Sequence, residues 1–91
     1  MKKMKHQNKN FKWVVAQLKP NMLNKALNNL KLQSYECLAP MKSETIRSGQ
    51  LFKKIKKLIF PGYIFVKIDP ESADVRKVNS TLGISKLLRN V

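Results

Sequence analysis

Leu58-Ile59-Phe60-Pro61-Gly62-Tyr63-Ile64-Phe65-Val66-Lys67-Ile68 reads as a β-strand with bulky apolar side chains on both faces. A chain of 91 residues is long enough for one domain with one modest core. Only one face of such a strand then has a core to enter, and the other is a place where something docks. Alternation sends Ile64, Val66 and Ile68 to one face and Tyr63, Phe65 and Lys67 to the other. With the first set on the core, Tyr63 and Phe65 form an apolar patch that marks a partner surface.

The elements on either side of this strand define the fold class. Trp13-Val14-Val15-Ala16-Gln17-Leu18 is a short apolar run rich in β-formers, as expected of an inner strand, and Lys19-Pro20-Asn21 ends it. Asn21 is the expected N-cap of a helix whose Met22, Leu23, Ala26, Leu27 and Leu30 share one face. The opposite face carries Asn24, Lys25, Asn28, Asn29 and Lys31 and no acid, so it is either a plain solvated face or one that meets phosphate.

Tyr35 to Met41 reads as a second strand with Pro40 toward its end, because proline cannot donate to a ladder. Residues 43–57 form an exposed excursion, either a protruding hairpin or a loop. Ser48-Gly49 is its turn signal, and Lys53, Lys54, Lys56 and Lys57 are interleaved with Phe52 and Ile55. After Ile68, Asp69-Pro70-Glu71 supplies an N-cap, an N1 proline and a first-turn acid for a second helix. Val75, Val78 and Leu82 are expected on one side of that helix, Gly83 stops it, and Ile84 to Leu88 is a final strand. The order is βαββαβ. It predicts an α+β domain of ferredoxin-like type, an antiparallel sheet with two helices on one face.

Composition bounds the function. The chain is 43% apolar and 26% charged, as in ordinary globular proteins, but 19 Lys and Arg against five acids give a net charge of +14. Such a field attracts phosphate polyanions. No apolar run approaches the about 20 residues that a spanning helix needs, and Gln7-Asn8-Lys9-Asn10 stands where a signal peptide would be apolar. The expected setting is the cytoplasm, with no membrane partner.

Residues 1–11 read as a basic, disordered arm and residues 12–91 as the folded domain. His6 lies in the arm and Cys37 is the one cysteine, so no metal site and no Cys/His pair can be assembled. Cys37 is expected as core filler. Asp69, Glu71 and Asp74 favour a helix dipole rather than acid/base chemistry, and three glycines form no phosphate loop. Neither an enzyme nor a cofactor is expected.

Two families place aromatics on the third strand. Gly62, Tyr63, Phe65 and Val66 resemble the base-stacking strand of RNA-recognition motifs, whereas Pro61, Ile64, Ile68 and Val14 depart from it. This leaves a small RNA-binding module, of that type or of ribosomal-protein type, as the alternative. The second resemblance covers nearly the whole chain from Trp13 onward. Trp13-Val14-Val15 with Lys19, Leu30, Leu38-Ala39-Pro40-Met41, Phe60-Pro61-Gly62-Tyr63-Ile64-Phe65-Val66 and Thr81-x-Gly83-Ile84 resemble the N-terminal (NGN) domain of NusG-family transcription elongation factors. Cys37 to Met41 and Phe65-Val66-x-x-Asp69-Pro70 are most similar to the RfaH-type antitermination paralogue.

This resemblance implies a factor that binds RNA polymerase and reduces pausing. Its open face packs on the β′ clamp helices and bridges toward β. Phe60, Pro61, Tyr63 and Phe65 occupy contact positions, and Gln17 stands where the RfaH type has an aromatic. Contact to non-template or upstream DNA is assigned to Lys19, Lys25, Asn29, Arg47, Lys53 and Lys54. Leu32 and Leu82 replace arginines of that paralogue, and Asp74-Val75-Arg76 departs from its β-contacting motif. The family continues into a further helix and a KOW barrel. With nothing after Val91, the expectation is a domain shortened at its C-terminal end, without KOW-mediated contact to ribosomal protein S10 or Rho.

Overall fold

The computed structural model describes residues 10–88. The arm expected over residues 1–11 lies, apart from its last two residues, outside the described residues. The elements are β1 (Lys12–Leu18), α1 (Leu23–Leu32), β2 (Glu36–Leu38), β3 (Met41–Ser48), β4 (Leu51–Leu58), β5 (Tyr63–Ile68), α2 (Asp74–Asn79) and β6 (Ile84–Leu88). Four strands form one sheet in the order β2-β5-β1-β6, every pair antiparallel, while β3 and β4 pair only with each other. Without the β3–β4 ribbon this is the expected βαββαβ arrangement. The excursion is a hairpin.

Two elements expected to be continuous are divided. The run from Leu58 to Ile68 is not one strand: Leu58 closes β4 and Tyr63 opens β5. Pro61-Gly62 is the physical reason. Gly62 has φ +86°, and the Tyr63 N–H donates to the Phe60 carbonyl at 3.0 Å. Proline followed by a positive-φ glycine at the two centres is what a type II turn requires. The span from Tyr35 to Met41 is likewise divided, β2 ending at Leu38 and Met41 opening β3. Pro40 lies between them and accepts the Ile59 N–H at 2.9 Å.

Both helix starts also differ from expectation. Asn21 is a turn residue at φ +59°, following Pro20 in a turn closed by Met22 N–H to Lys19 O at 3.2 Å. Met22 therefore takes the N-cap position, with no side-chain cap. Asp69 turns the chain rather than capping α2. Its carboxylate accepts the Glu71 N–H at 2.9 Å, and the Ser72 hydroxyl accepts the Asp74 N–H at 3.1 Å, so the helix begins at Asp74. Leu82 is not on the buried side of α2. The helix ends at Asn79, a turn follows, and Thr81 is buried while Leu82 is 55% exposed.

The core lies between the helices and one sheet face. Leu30, Ile64, Val66, Ile68 and Val78 are its largest fully buried side chains, and Ala16, Leu18, Ala26, Ile84 and Leu87 complete it. Each Val, Leu or Ile side chain enclosed this way contributes about 1.5–3 kcal/mol. Cys37 packs against this cluster as the expected filler, half-buried, and burial followed by the Glu36 charge pushes its thiol upward, away from the reactive thiolate.

Buried polar atoms hold α2 to the rest. Thr81 Oγ1 donates to Lys77 O at 2.9 Å and accepts Gln33 Nε2 at 2.8 Å, Asn79 Oδ1 accepts the Leu87 N–H at 2.8 Å, and the Tyr35 hydroxyl donates to Asp74 Oδ1 at 2.9 Å. Burial, then the hydrogen bond and charge of Asp74, push the Tyr35 phenol from 10.0 up to about 12. A folded-state value above the unfolded one means that this contribution is complete below pH 10 and lost as the pH rises toward 12. Tyr35→Phe should remove that component of the alkaline loss, measured as urea stability against pH, and cost about 1 kcal/mol at neutral pH.

Candidate functional site

The face of the sheet away from the helices is assembled by strand register. In antiparallel pairs, directly opposed residues project to the same side. Leu38 is opposite Phe65, Phe65 opposite Val15, and Val15 opposite Leu88, so one row of the open face is apolar across all four strands. The row toward the β5 start holds Tyr63, Gln17 and Lys86, and the other flanking row holds Glu36, Lys67 and Trp13. Ile64, Val66 and Ile68 are fully buried on the opposite side, as alternation requires.

Phe60 extends this surface from the β4–β5 turn. Its ring meets Phe65 edge-on, with centroids 5.8 Å apart and planes at 84°, a favourable aromatic geometry, and 49% of the residue is exposed. Pro61 is exposed beside it. One side of the patch is charged: Lys67 lies 3.9 Å from Glu36 and 6.0 Å from the centre of the Trp13 ring. The result is an apolar centre with a polar margin, the anatomy of a protein-docking surface.

Phe60, Tyr63, Phe65 and Gln17 are thus brought onto one surface. Leu38, Val15, Trp13 and Leu88 also belong to it, although the sequence alone does not assign them to the contact surface. Alternation was the available signal, but the nearly continuous apolar run in β1 and the broken alternation of β6 do not show which residues face outward until their register is known.

The basic residues fall into two groups. Lys19 ends β1 with its N–H bonded to Gly83 O at 2.9 Å, and it lines one concavity with Lys25, Leu58 and Gly62. Asn29 is one turn beyond Lys25, and its amide donates to Lys25 O at 2.8 Å. Arg47, Lys53 and Lys54 are instead on the outer half of the ribbon, where Arg47 opposes Phe52, Ile46 opposes Lys53 and Thr45 opposes Lys54. That ribbon contributes to a shape of 64 × 24 × 22 Å. Among the described residues, no three His, Cys, Asp or Glu side chains gather as a metal site, and no helix is long and apolar enough to cross a membrane.

Fold and surface together define a ferredoxin-like α+β domain with an apolar open sheet face and a basic ribbon. A protein-family model described as "Transcription termination factor nusG" matches residues 11–91. The chain belongs to the NusG family, whose members are non-enzymatic transcription elongation and termination factors that bind RNA polymerase.

Proposed function

We propose that this chain is an elongation and antitermination factor of the RfaH type, docking through its open sheet face on the β′ clamp helices of RNA polymerase and reducing pausing. The observation that carries this reading is the apolar row Leu38, Phe65, Val15 and Leu88, flanked by Tyr63 and extended by Phe60. Cys37 to Met41 and Phe65 to Pro70 supply the likeness to the RfaH type. Residues 12–91 constitute the polymerase-binding domain.

Binding that spans the polymerase cleft holds the clamp closed, and a closed clamp disfavours the paused state through differential affinity for the two states. DNA in the elongation complex is the second partner. Lys19, Lys25 and Asn29 meet it from the α1 side, and Arg47, Lys53 and Lys54 from the ribbon, through phosphate contacts that carry no sequence information.

Single-round transcription over a template with a defined pause tests this function. Added to halted elongation complexes, the purified chain should shorten the pause half-life at least twofold, with saturation as the concentration rises. An unchanged half-life at saturating protein would overturn the antipausing role.

A further inference from the structure

The β3–β4 ribbon carries a charge pattern that polymerase docking through the open face does not use. Each strand has eight residues, giving a ribbon about 27 Å long. Its six cations, Lys42, Arg47, Lys53, Lys54, Lys56 and Lys57, face one acid, Glu44. Lys57 binds that acid at 3.0 Å and holds its carboxyl below the usual range, so five cations are left with no acid on the ribbon to neutralise them. Register divides them between both faces. Ser43 with Lys56, Thr45 with Lys54 and Arg47 with Phe52 lie on one side, and Lys42 with Lys57 and Ile46 with Lys53 on the other.

The tip is built rather than merely solvated. Arg47 Nε donates to Gly49 O at 3.1 Å, and its guanidinium lies 5.9 Å over the Phe52 ring, which fixes a planar cation at the end of the ribbon. Leu51 and Phe52 beside it are 74% and 70% exposed, and no core reaches them.

We infer that this ribbon inserts into the major groove of duplex DNA, its cations on the phosphate walls and the Leu51-Phe52 tip against base edges such as thymine methyl groups. The inference rests on the DNA contact proposed above and assigns it an element and a groove. A two-stranded ribbon fits the B-form major groove, which is about 12 Å wide. Groove walls of phosphate on either side call for cations on both faces. Single strands are bound on successive aromatic platforms, whereas here one ring is present and Arg47 already covers it. Duplex RNA presents a major groove too narrow to enter.

Fluorescence anisotropy of the 91-residue chain with a labelled DNA duplex of about 20 base pairs tests this. The duplex should bind more tightly than its single strands or the equivalent RNA duplex. Methyl green, which occupies the major groove, should displace the chain, and netropsin, which occupies the minor groove, should not. The triple variant Arg47→Gln, Lys54→Gln, Lys56→Gln should lose at least tenfold in affinity at about 100 mM salt and lower the slope of log K against log salt by about 2.7, that is, about 0.9 for each of three phosphate contacts. The control triple Lys12→Gln, Lys31→Gln, Lys77→Gln removes equal charge away from the ribbon and should lose less than about threefold. Equal losses in the two triples, preference for single strands or RNA, or displacement by netropsin alone would overturn the inference. Thermal melts of both triples establish that they fold. Tyr63→Ala with Phe65→Ala should retain duplex binding, so failure of the ribbon and failure of polymerase docking are read separately.

Discussion

Alanine at both Tyr63 and Phe65 is expected to abolish capture of isolated β′ clamp helices while leaving the domain folded. Both residues are half-buried on the open face, and the core is on the other side of the same strand. Buried aromatic anchors at the centre of an interface cost about 2 kcal/mol or more each when truncated, so the pair removes about a thousandfold in affinity. The cost to folding is smaller. Phe65 loses its edge contact with Phe60, worth about 0.5–1.5 kcal/mol, while Ile64, Val66 and Ile68 remain enclosed. Pulldown together with circular dichroism checks both halves of the expectation. Retained capture by a folded double variant would show that polymerase meets another surface.

Gly83→Ala should be the most damaging conservative substitution in the chain. Gly83 has φ +94°, where a side chain is strained by about 1–3 kcal/mol. A Cβ there would also lie 2.9 Å from Ala26 Cβ and 3.1 Å from the Ala26 Cα and N. Ala26 belongs to α1 and is fully buried, so the backbone of the helix has to move, adding about 1–3 kcal/mol. The sum, about 2–6 kcal/mol, is a large fraction of the 5–15 kcal/mol typical of a domain. Gly49 and Gly62 provide the comparison. Each has positive φ, but nothing lies within 4 Å of the added atom, so alanine there costs the backbone strain alone. Thermal denaturation should rank Gly83→Ala well below Gly49→Ala and Gly62→Ala. Equal midpoints would mean that the approach of α1 to the start of β6 is not tight.

Gly83 also shows how much of the structure could be anticipated. It is not the stop of α2 that its place after an apolar helical pattern suggests, because the helix already ends at Asn79 with Ser80 at its C-cap; Gly83 instead takes a positive φ in the turn that leads into β6. Its contact with Ala26 joins two elements far apart in the chain, and no local pattern encodes that distance. Asn21 and Asp69 failed as predicted caps for a related reason. Both are also good turn residues, and the neighbouring Pro20 and Pro70 made the turn the available conformation. The Leu58–Ile68 run looked like a single strand because apolar residues continue through it, and the Pro61-Gly62 turn inside it was the overlooked signal.

Sequence by itself determined the βαββαβ order, the division of β5 into a core-facing and an outward-facing set, the basic character of the excursion and membership of the NusG family. These follow from alternation, turn residues, charge and ordered motifs, all of which act over a few neighbouring residues. Only the tertiary structure decided which outward side chains share a surface. Leu38, Phe65, Val15 and Leu88 form one row because four strands pair in a particular register, and a slip of one residue would send each to the other face. That register is set by burying Ile64, Val66 and Ile68 under two helices. The apolar outer face is therefore a consequence of the core beneath it.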